Sequence, residues 1–230
     1  PVLFEEMDGI WLHMQNSNHR KMKKQEMKVF TMYEGWDAGK EKQGRSSLVG
    51  KTMLAGMEKS KKFHEKREAC ICKKYNADEI GQRILNGDGG SWIYEPYDPE
   101  AIFQLDRYHV YQEITGKIRD KKAQREIREL FDTGKPEEML EYIQIYATSV
   151  ESPDEKDKSS QKAWELYQYL EHNREGLLPY DKRGIKIAAP PEGILYKRMG
   201  VQENQNCTVI TLRMKLSLIH ISEPTRLALI

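Results

Sequence analysis

Cysteine is scarce in this chain. Cys70, Cys72 and Cys207 make an odd set without framework spacing, which argues against a disulfide-stapled secreted domain and suits a reducing cytoplasm. Long apolar runs are missing as well. No stretch approaches the ~20 residues of a membrane span, and mean hydropathy is -0.78. Nor does charge of one sign dominate. Lys and Arg total 37 against 36 Asp and Glu, a formal net charge of +1. That balance excludes a histone-like or tail-driven nucleic-acid binder, while leaving room for a local basic groove. No internal repeat is visible, and no low-complexity segment beyond short charge runs. What remains is 230 residues, 38% hydrophobic and 32% charged. That is enough core for one large domain or two small ones under a very polar surface.

Both ends read as incomplete. Pro1-Val2-Leu3-Phe4 carries neither an initiator Met nor the regions of a signal peptide. It opens inside what reads as a strand, so we expect a fragment with its beginning missing. At the other end, Leu216-Ser217-Leu218-Ile219-His220-Ile221-Ser222-Glu223-Pro224-Thr225-Arg226 matches one reading frame of a transposome adapter used to build DNA sequencing libraries. On that reading natural sequence stops near Lys215, and residues 216–230 should pack poorly. The alternative is a short apolar strand turning at Pro224.

Between the ends, pattern predicts strands first. Residues 2–14 carry apolar residues on both faces, as a covered central strand does. The lysine-rich run Gln15 to Gln25 reads as a hairpin connection, Met27–Tyr33 as the returning strand and Lys51–Met57 as a third. Ser60–Tyr75 reads as a charge-laced helix and Ala77–Gln82 as a helical turn. Arg83-Ile84-Leu85 enters a fourth strand that ends at Asn86-Gly87-Asp88-Gly89-Gly90. Apolar pattern resumes over Ile102–Ile114. From Lys117 to His172 the pattern is wholly helical, with Pro136 at a helix start. The expected fold class is therefore α/β, a core interrupted by an all-α insertion. The divisions are 1–116, 117–178, 179–215 and the tail 216–230.

Three acids stand out by context. Asp8 lies mid-strand among apolar residues, where burying a charge costs several kcal/mol unless something neutralises it. Asp88 ends a strand, at the edge where open α/β sheets place their chemistry. Glu203 lies in Gly200-Val201-Gln202-Glu203-Asn204, ahead of the apolar Val209-Ile210-Leu212. Carboxylates converging at a strand end suit hard divalent ions such as Mg²⁺ or Mn²⁺. Bland readings stand beside these. Asp88 suits a tight turn, Glu203 an exposed helix, and Asp8-Gly9 a bulge with its side chain in solvent.

The segments Val2-Leu3-Phe4-Glu5-Glu6-Met7-Asp8-Gly9-Ile10-Trp11, Leu85-Asn86-Gly87-Asp88-Gly89-Gly90-Ser91-Trp92-Ile93 and Gln104-Leu105-Asp106-Arg107-Tyr108-His109 together resemble bacterial insertion-sequence DDE transposases. The similarity is to the ISLre-type family, of the Mutator-like group, and runs from Pro1 to about Lys215. It implies a ribonuclease-H-like core, a mixed sheet flanked by helices with a helical insertion before the last acid. It also implies two Mg²⁺ or Mn²⁺ ions held by Asp8, Asp88 and Glu203, which cleave DNA and transfer strands. Glu203 sits in a looser match than the two aspartates. Asp106, His109 and Trp92 are carried over as supporting residues, although a satisfied core histidine suits His109 nearly as well. The implied partners are element ends and target DNA, bound by a homo-oligomer, and the implied place is the cytoplasm, at the nucleoid. Alternatives are a ribonuclease-H-like nuclease that hydrolyses without joining and an inactive remnant that binds DNA.

Other features read as bland. Lys59, Lys61, Lys62, Lys66, Arg67, Lys73 and Lys74 are interleaved with Glu58, Glu65 and Glu68, as on a solvated helix face. Lys117 to Arg128 behaves similarly. His64 with Cys70 and Cys72 lacks a fourth ligand at zinc spacing. Trp11, Trp36, Trp92 and Trp164 read as core or core-edge anchors, with Trp92 close enough to Asp88 to stack on a base.

Overall fold

The computed structural model describes residues 1–15, 21–93, 101–154 and 156–206. The tail 216–230, Cys207 and the apolar segment from Val209 to Leu212 lie outside them. In chain order the elements begin with β1 (Val2–Gln15), β2 (Lys21–Tyr33), β3 (Gly35–Asp37), α1 (Ala38–Glu41), β4 (Leu48–Val49), β5 (Thr52–Gly56) and α2 (Ser60–Lys74). There follow β6 (Gln82–Gly87), β7 (Ile102–Leu105), α3 (Arg107–Lys117), α4 (Lys121–Thr133), α5 (Pro136–Ser149), α6 (Ser159–His172), β8 (Ile194–Leu195) and α7 (Gln202–Gln205). The main sheet has five strands in the order β5-β2-β1-β6-β7, and a small sheet is ordered β4-β3-β8. With β1 antiparallel to β2 and parallel to β6, the main sheet is mixed.

Two compact units divide the chain. One comprises residues 1–102 with the segment from Ile187 onward; the other is Phe103–Lys186. In the larger unit β1 is the central strand, and its composition accounts for that. Val2, Leu3, Phe4 and Met7 are each at most 1% exposed, so both faces are covered, as a strand apolar on both sides requires. Phe4 stacks on Tyr33 with ring centroids 5.6 Å apart, and Trp36 meets Tyr33 at 5.1 Å edge to face. The α2 helix buries Phe63, His64 and Ile71 and leaves its lysines outward, in keeping with the solvated face expected for them, but Arg67, expected on that same face, is buried because it pairs with the buried Glu5.

The returning strand begins earlier than the alternation Met27–Tyr33 indicates. β2 starts at Lys21, and ladder pairing with β1 runs from Phe4 opposite Tyr33 out to His13 opposite Lys24. Antiparallel hydrogen bonding satisfies the backbone whatever the side chains are, so polar composition did not end the strand.

The smaller unit packs α3 to α6 after β7. The helices expected between 117 and 178 are α4, α5 and α6, and they share this unit with α3 and residues 103–105. Its core is Val110, Ile114, Ile127, Met139, Ile143, Ala163, Leu166 and Leu170, all 0% exposed. Local chemistry sets the helix ends. Asp106 and Asp120 cap α3 and α4 through their carboxylates, Pro136 starts α5, and Gly134 closes α4 at φ +74. None of the described helices is long and apolar enough to cross a membrane.

Candidate metal centre

The parallel pairing of β1 with β6 sets the geometry. Each β1 residue faces the β6 residue numbered 80 higher, from Val2 opposite Gln82 to Glu6 opposite Asn86. Asp8 and Asp88 carry the same offset, two residues beyond the last pair on each strand. Side chains alternate with period two, so Asp8 belongs to the sheet face that carries Glu6, and Asp88 follows directly after the end of β6. A carboxylate oxygen of Asp8 and one of Asp88 lie within 4.8 Å of each other.

Each carboxylate is held. Asp8 is 7% exposed and continues a regular ladder opposite Val29, so no bulge turns it to solvent. Its Oδ1 accepts the Gly9 amide at 2.7 Å, and its Oδ2 accepts Asn206 Nδ2 at 2.5 Å. Asp88 is half-buried, and its Oδ1 accepts the Gly90 amide at 2.8 Å. The glycines around it have separate reasons. Gly89 adopts φ +80, and a Cβ on Gly87 would stand 2.8 Å from Ile93 Cγ2. The strand can thus turn sharply while the buried Ile93 folds back over it.

Behind this pair lies a buried ionic layer. Glu5 and Arg67 are both 0% exposed, with Arg67 Nε and Nη2 at 2.9 and 2.6 Å from Glu5 Oε2. Arg83 Nε reaches Glu5 Oε1 at 2.5 Å. Burial alone pushes the Glu5 carboxyl up, but the two guanidinium groups outweigh it and hold it below the usual carboxylate range. Arg67 Nη1 also stands 3.2 Å from His64 Nδ1, and His64 Nε2 lies 2.6 Å from the Trp92 carbonyl. Because Arg67 can only donate and a carbonyl can only accept, His64 is neutral with its proton on Nε2. Its ring thereby ties α2 to the turn that follows Asp88. Both ring nitrogens of His64 are thus engaged, and burial pushes the Cys70 thiol up.

On the Asp8 face, Glu6 grips the returning chain. Its carboxylate accepts the backbone amides of Gly200, Val201 and Gln202 at 3.0, 3.1 and 2.9 Å, and the Tyr33 hydroxyl at 2.6 Å. Burial pushes the Glu6 carboxyl up from its ordinary range, while those donors pull against the shift. The chain so pinned continues into α7, which presents Asn206 to Asp8.

Asp8 and Asp88 come together. Glu203, on α7, is exposed and does not join them within the same reach. Trp92 meets Phe63 edge to face at 6.1 Å, with Lys28 Nζ 5.2 Å from its ring, as a core-edge anchor does. Asp106 and His109 belong to the smaller unit. Asp106 Oδ2 accepts the His109 amide at 3.3 Å and stands 3.0 Å from its Nδ1, so the pair serves as a helix cap there.

Sequence reasoning passed over Glu6, Gln202 and Asn206. The available signal for Glu6 was a second acid on the Asp8 face of an apolar strand. Gln202 and Asn206 offered only their closeness to Glu203.

None of the curated proteins compared with the chain matches it. Residues 1–194 match the model of an uncharacterised protein family, UPF0236. That match includes both aspartates and most of both units, and the chain belongs to this family.

Proposed function

We propose that the larger unit is the ribonuclease-H-like catalytic core of a DDE-type DNA transposase. The observation that carries this reading is the shared offset of 80, which takes Asp8 and Asp88 from distant motifs to carboxylate oxygens within 4.8 Å. Like charges this close repel, and a divalent ion relieves them. The donor set fits a hard ion, since both side chains offer only oxygen. Asp8 and Asp88 would hold Mg²⁺ or Mn²⁺, and a pair of such ions supplies Lewis acidity to the attacking and leaving oxygens of a phosphodiester. The amides of Gly9 and Gly90 hold one oxygen of each carboxylate, so the ligands are oriented in advance. Water attacks in cleavage and the freed 3′-hydroxyl attacks in joining; in both the 3′-oxygen leaves. DNA is the partner, with a homo-oligomer assembled on it at the nucleoid. Asp106, His109 and Trp92 remain supporting residues, as the resemblance implies.

The test is nicking of supercoiled plasmid in Mn²⁺. The parent chain is expected to cut, and Asp8→Asn and Asp88→Asn each to abolish cutting. Normal cutting by both variants would falsify the assignment. A labelled 3′-hydroxyl oligonucleotide then separates transposase from nuclease, because only the former joins it to target. One observation favours a second reading. Glu203 stands apart from the aspartates, as in a remnant that binds DNA without cutting it. Plasmid binding with neither Mn²⁺ affinity nor nicking would establish that reading instead.

A further inference from the structure

The ladder between β1 and β6 stops short of the aspartates. Its last pair is Glu6 opposite Asn86, two residues before Asp8 on one strand and before Asp88 on the other. Asp8 is still held on its other side by β2, opposite Val29. Asp88 has left β6 and stands at the head of a turn. That turn closes on itself, the Ile93 amide donating to the Gly90 carbonyl at 2.8 Å. A bond within the turn shapes it without fixing where it stands relative to β1.

A second connection runs through α2. Glu5, three residues before Asp8, accepts Arg67 Nε and Nη2 at 2.9 and 2.6 Å. Arg67 Nη1 donates to His64 Nδ1 at 3.2 Å, and His64 Nε2 donates to the Trp92 carbonyl at 2.6 Å. Residues 64 and 67 lie three apart, so they share one face of the helix. Glu5 and Arg67 are 0% exposed and His64 is 4% exposed, and such hydrogen bonds are stronger in the interior than in water. These groups link the strand of Asp8 to the turn of Asp88.

We propose that His64 is a positioning residue for the Asp8–Asp88 cation site, which it serves by fixing the turn that carries Asp88, a role that rests on the metal-binding reading above. It acts through the Trp92 carbonyl. Arg67 occupies Nδ1, so the one ring proton stays on Nε2 and is directed at that carbonyl. Arg67 is itself anchored to β1 by Glu5, which makes the strand of Asp8 the reference for the place of Asp88. Groups that orient metal ligands from behind are worth about 10- to 100-fold in metal affinity.

The experiment is Mn²⁺ titration of the full chain by calorimetry, with each protein held below its unfolding transition. The variants are Asp88→Asn, His64→Leu, His64→Gln, His64→Asn and Ile71→Ala. A glutamine amide nitrogen stands as many bonds from the backbone as Nε2 does, so His64→Gln keeps the donor to Trp92. Asparagine is one bond shorter and reproduces only the Nδ1 position. His64→Leu and His64→Asn are expected to weaken Mn²⁺ binding by about tenfold, and His64→Gln to restore it. Ile71→Ala, which empties another buried place on α2, should lose stability and bind Mn²⁺ like the parent. Parental affinity in Asp88→Asn overturns the cation site itself. With binding lost there, parental affinity in both His64→Leu and His64→Asn overturns the positioning role alone. Weakening in His64→Gln or Ile71→Ala as large as in His64→Leu assigns the effect to the packing of α2 and overturns that role as well.

Discussion

Arg67 has the most demanding position of any single side chain described here. It lies at 0% exposure on α2, paired with an equally buried Glu5. A pair of this kind adds little net stability over well-packed apolar residues, yet removing one partner strands the other charge in the interior. Arg67→Met should therefore destabilise the fold by about 3–5 kcal/mol, read by urea unfolding at neutral pH. Arg83 still reaches Glu5 and keeps the loss toward the lower end. The pH dependence has a definite sign. Glu5 titrates below the usual carboxylate range in the fold, so its contribution is present above the ordinary range. It fades as pH falls through the lower, folded value. The penalty of Arg67→Met should shrink over that same acid interval, because a protonated Glu5 no longer needs a cation. Unfolding curves of parent and variant that stay equally spaced down to acid pH would refute the argument.

At the scale of elements, the turn after β6 connects backbone conformation to chemistry. Gly89 sits at φ +80, where a Cβ costs about 1–2 kcal/mol. Gly89→Ala should lower stability by roughly that amount. It should also weaken Mn²⁺ binding by moving the Asp88 carboxylate, whereas Gly44→Ala should leave Mn²⁺ binding unchanged. Gly44, at φ +71 with nothing near its absent Cβ, therefore separates backbone strain from loss of the site. The Gly87-Asp88-Gly89-Gly90 motif was legible from sequence because glycine around an acid after an apolar run has a local meaning. So were β1, β6 and the three helices α4, α5 and α6, whose apolar periods were clean. The start of β2 was not, since ladder pairing extends a polar strand without a side-chain signature. Glu6 and Asn206 were out of reach for another reason. Their partners lie 194 and 198 residues away in sequence, and no local pattern marks a donor that arrives from so far. His64 was noticed for the wrong neighbours: the cysteines near it in sequence matter less than the Trp92 carbonyl that it meets in space.

For the molecule as a whole, the paired aspartates set stability against ion binding. Two carboxylates with oxygens within 4.8 Å repel in the metal-free fold, against the hydrogen bonds from Gly9, Asn206 and Gly90. Asp88→Asn keeps an oxygen for the Gly90 amide while removing one charge. It should raise metal-free stability by about 1 kcal/mol at low salt, a melting-point increase of about 2–4 °C for a chain of this length. With Mn²⁺ the order reverses. An ion that binds the native state at a hundred times its dissociation constant adds about 2.7 kcal/mol, and only the parent keeps both ligands to receive it. Melting curves of the two proteins, with and without Mn²⁺, should therefore cross in rank: variant above parent in chelator, parent above variant in metal. If Asp88→Asn melts lower than the parent in chelator and both rise equally with Mn²⁺, the pair is structural and the ion, where it binds, binds elsewhere. The crossing isolates the aspartate pair from every other carboxylate, because a nonspecific surface ion would stabilise both chains alike and leave their order unchanged.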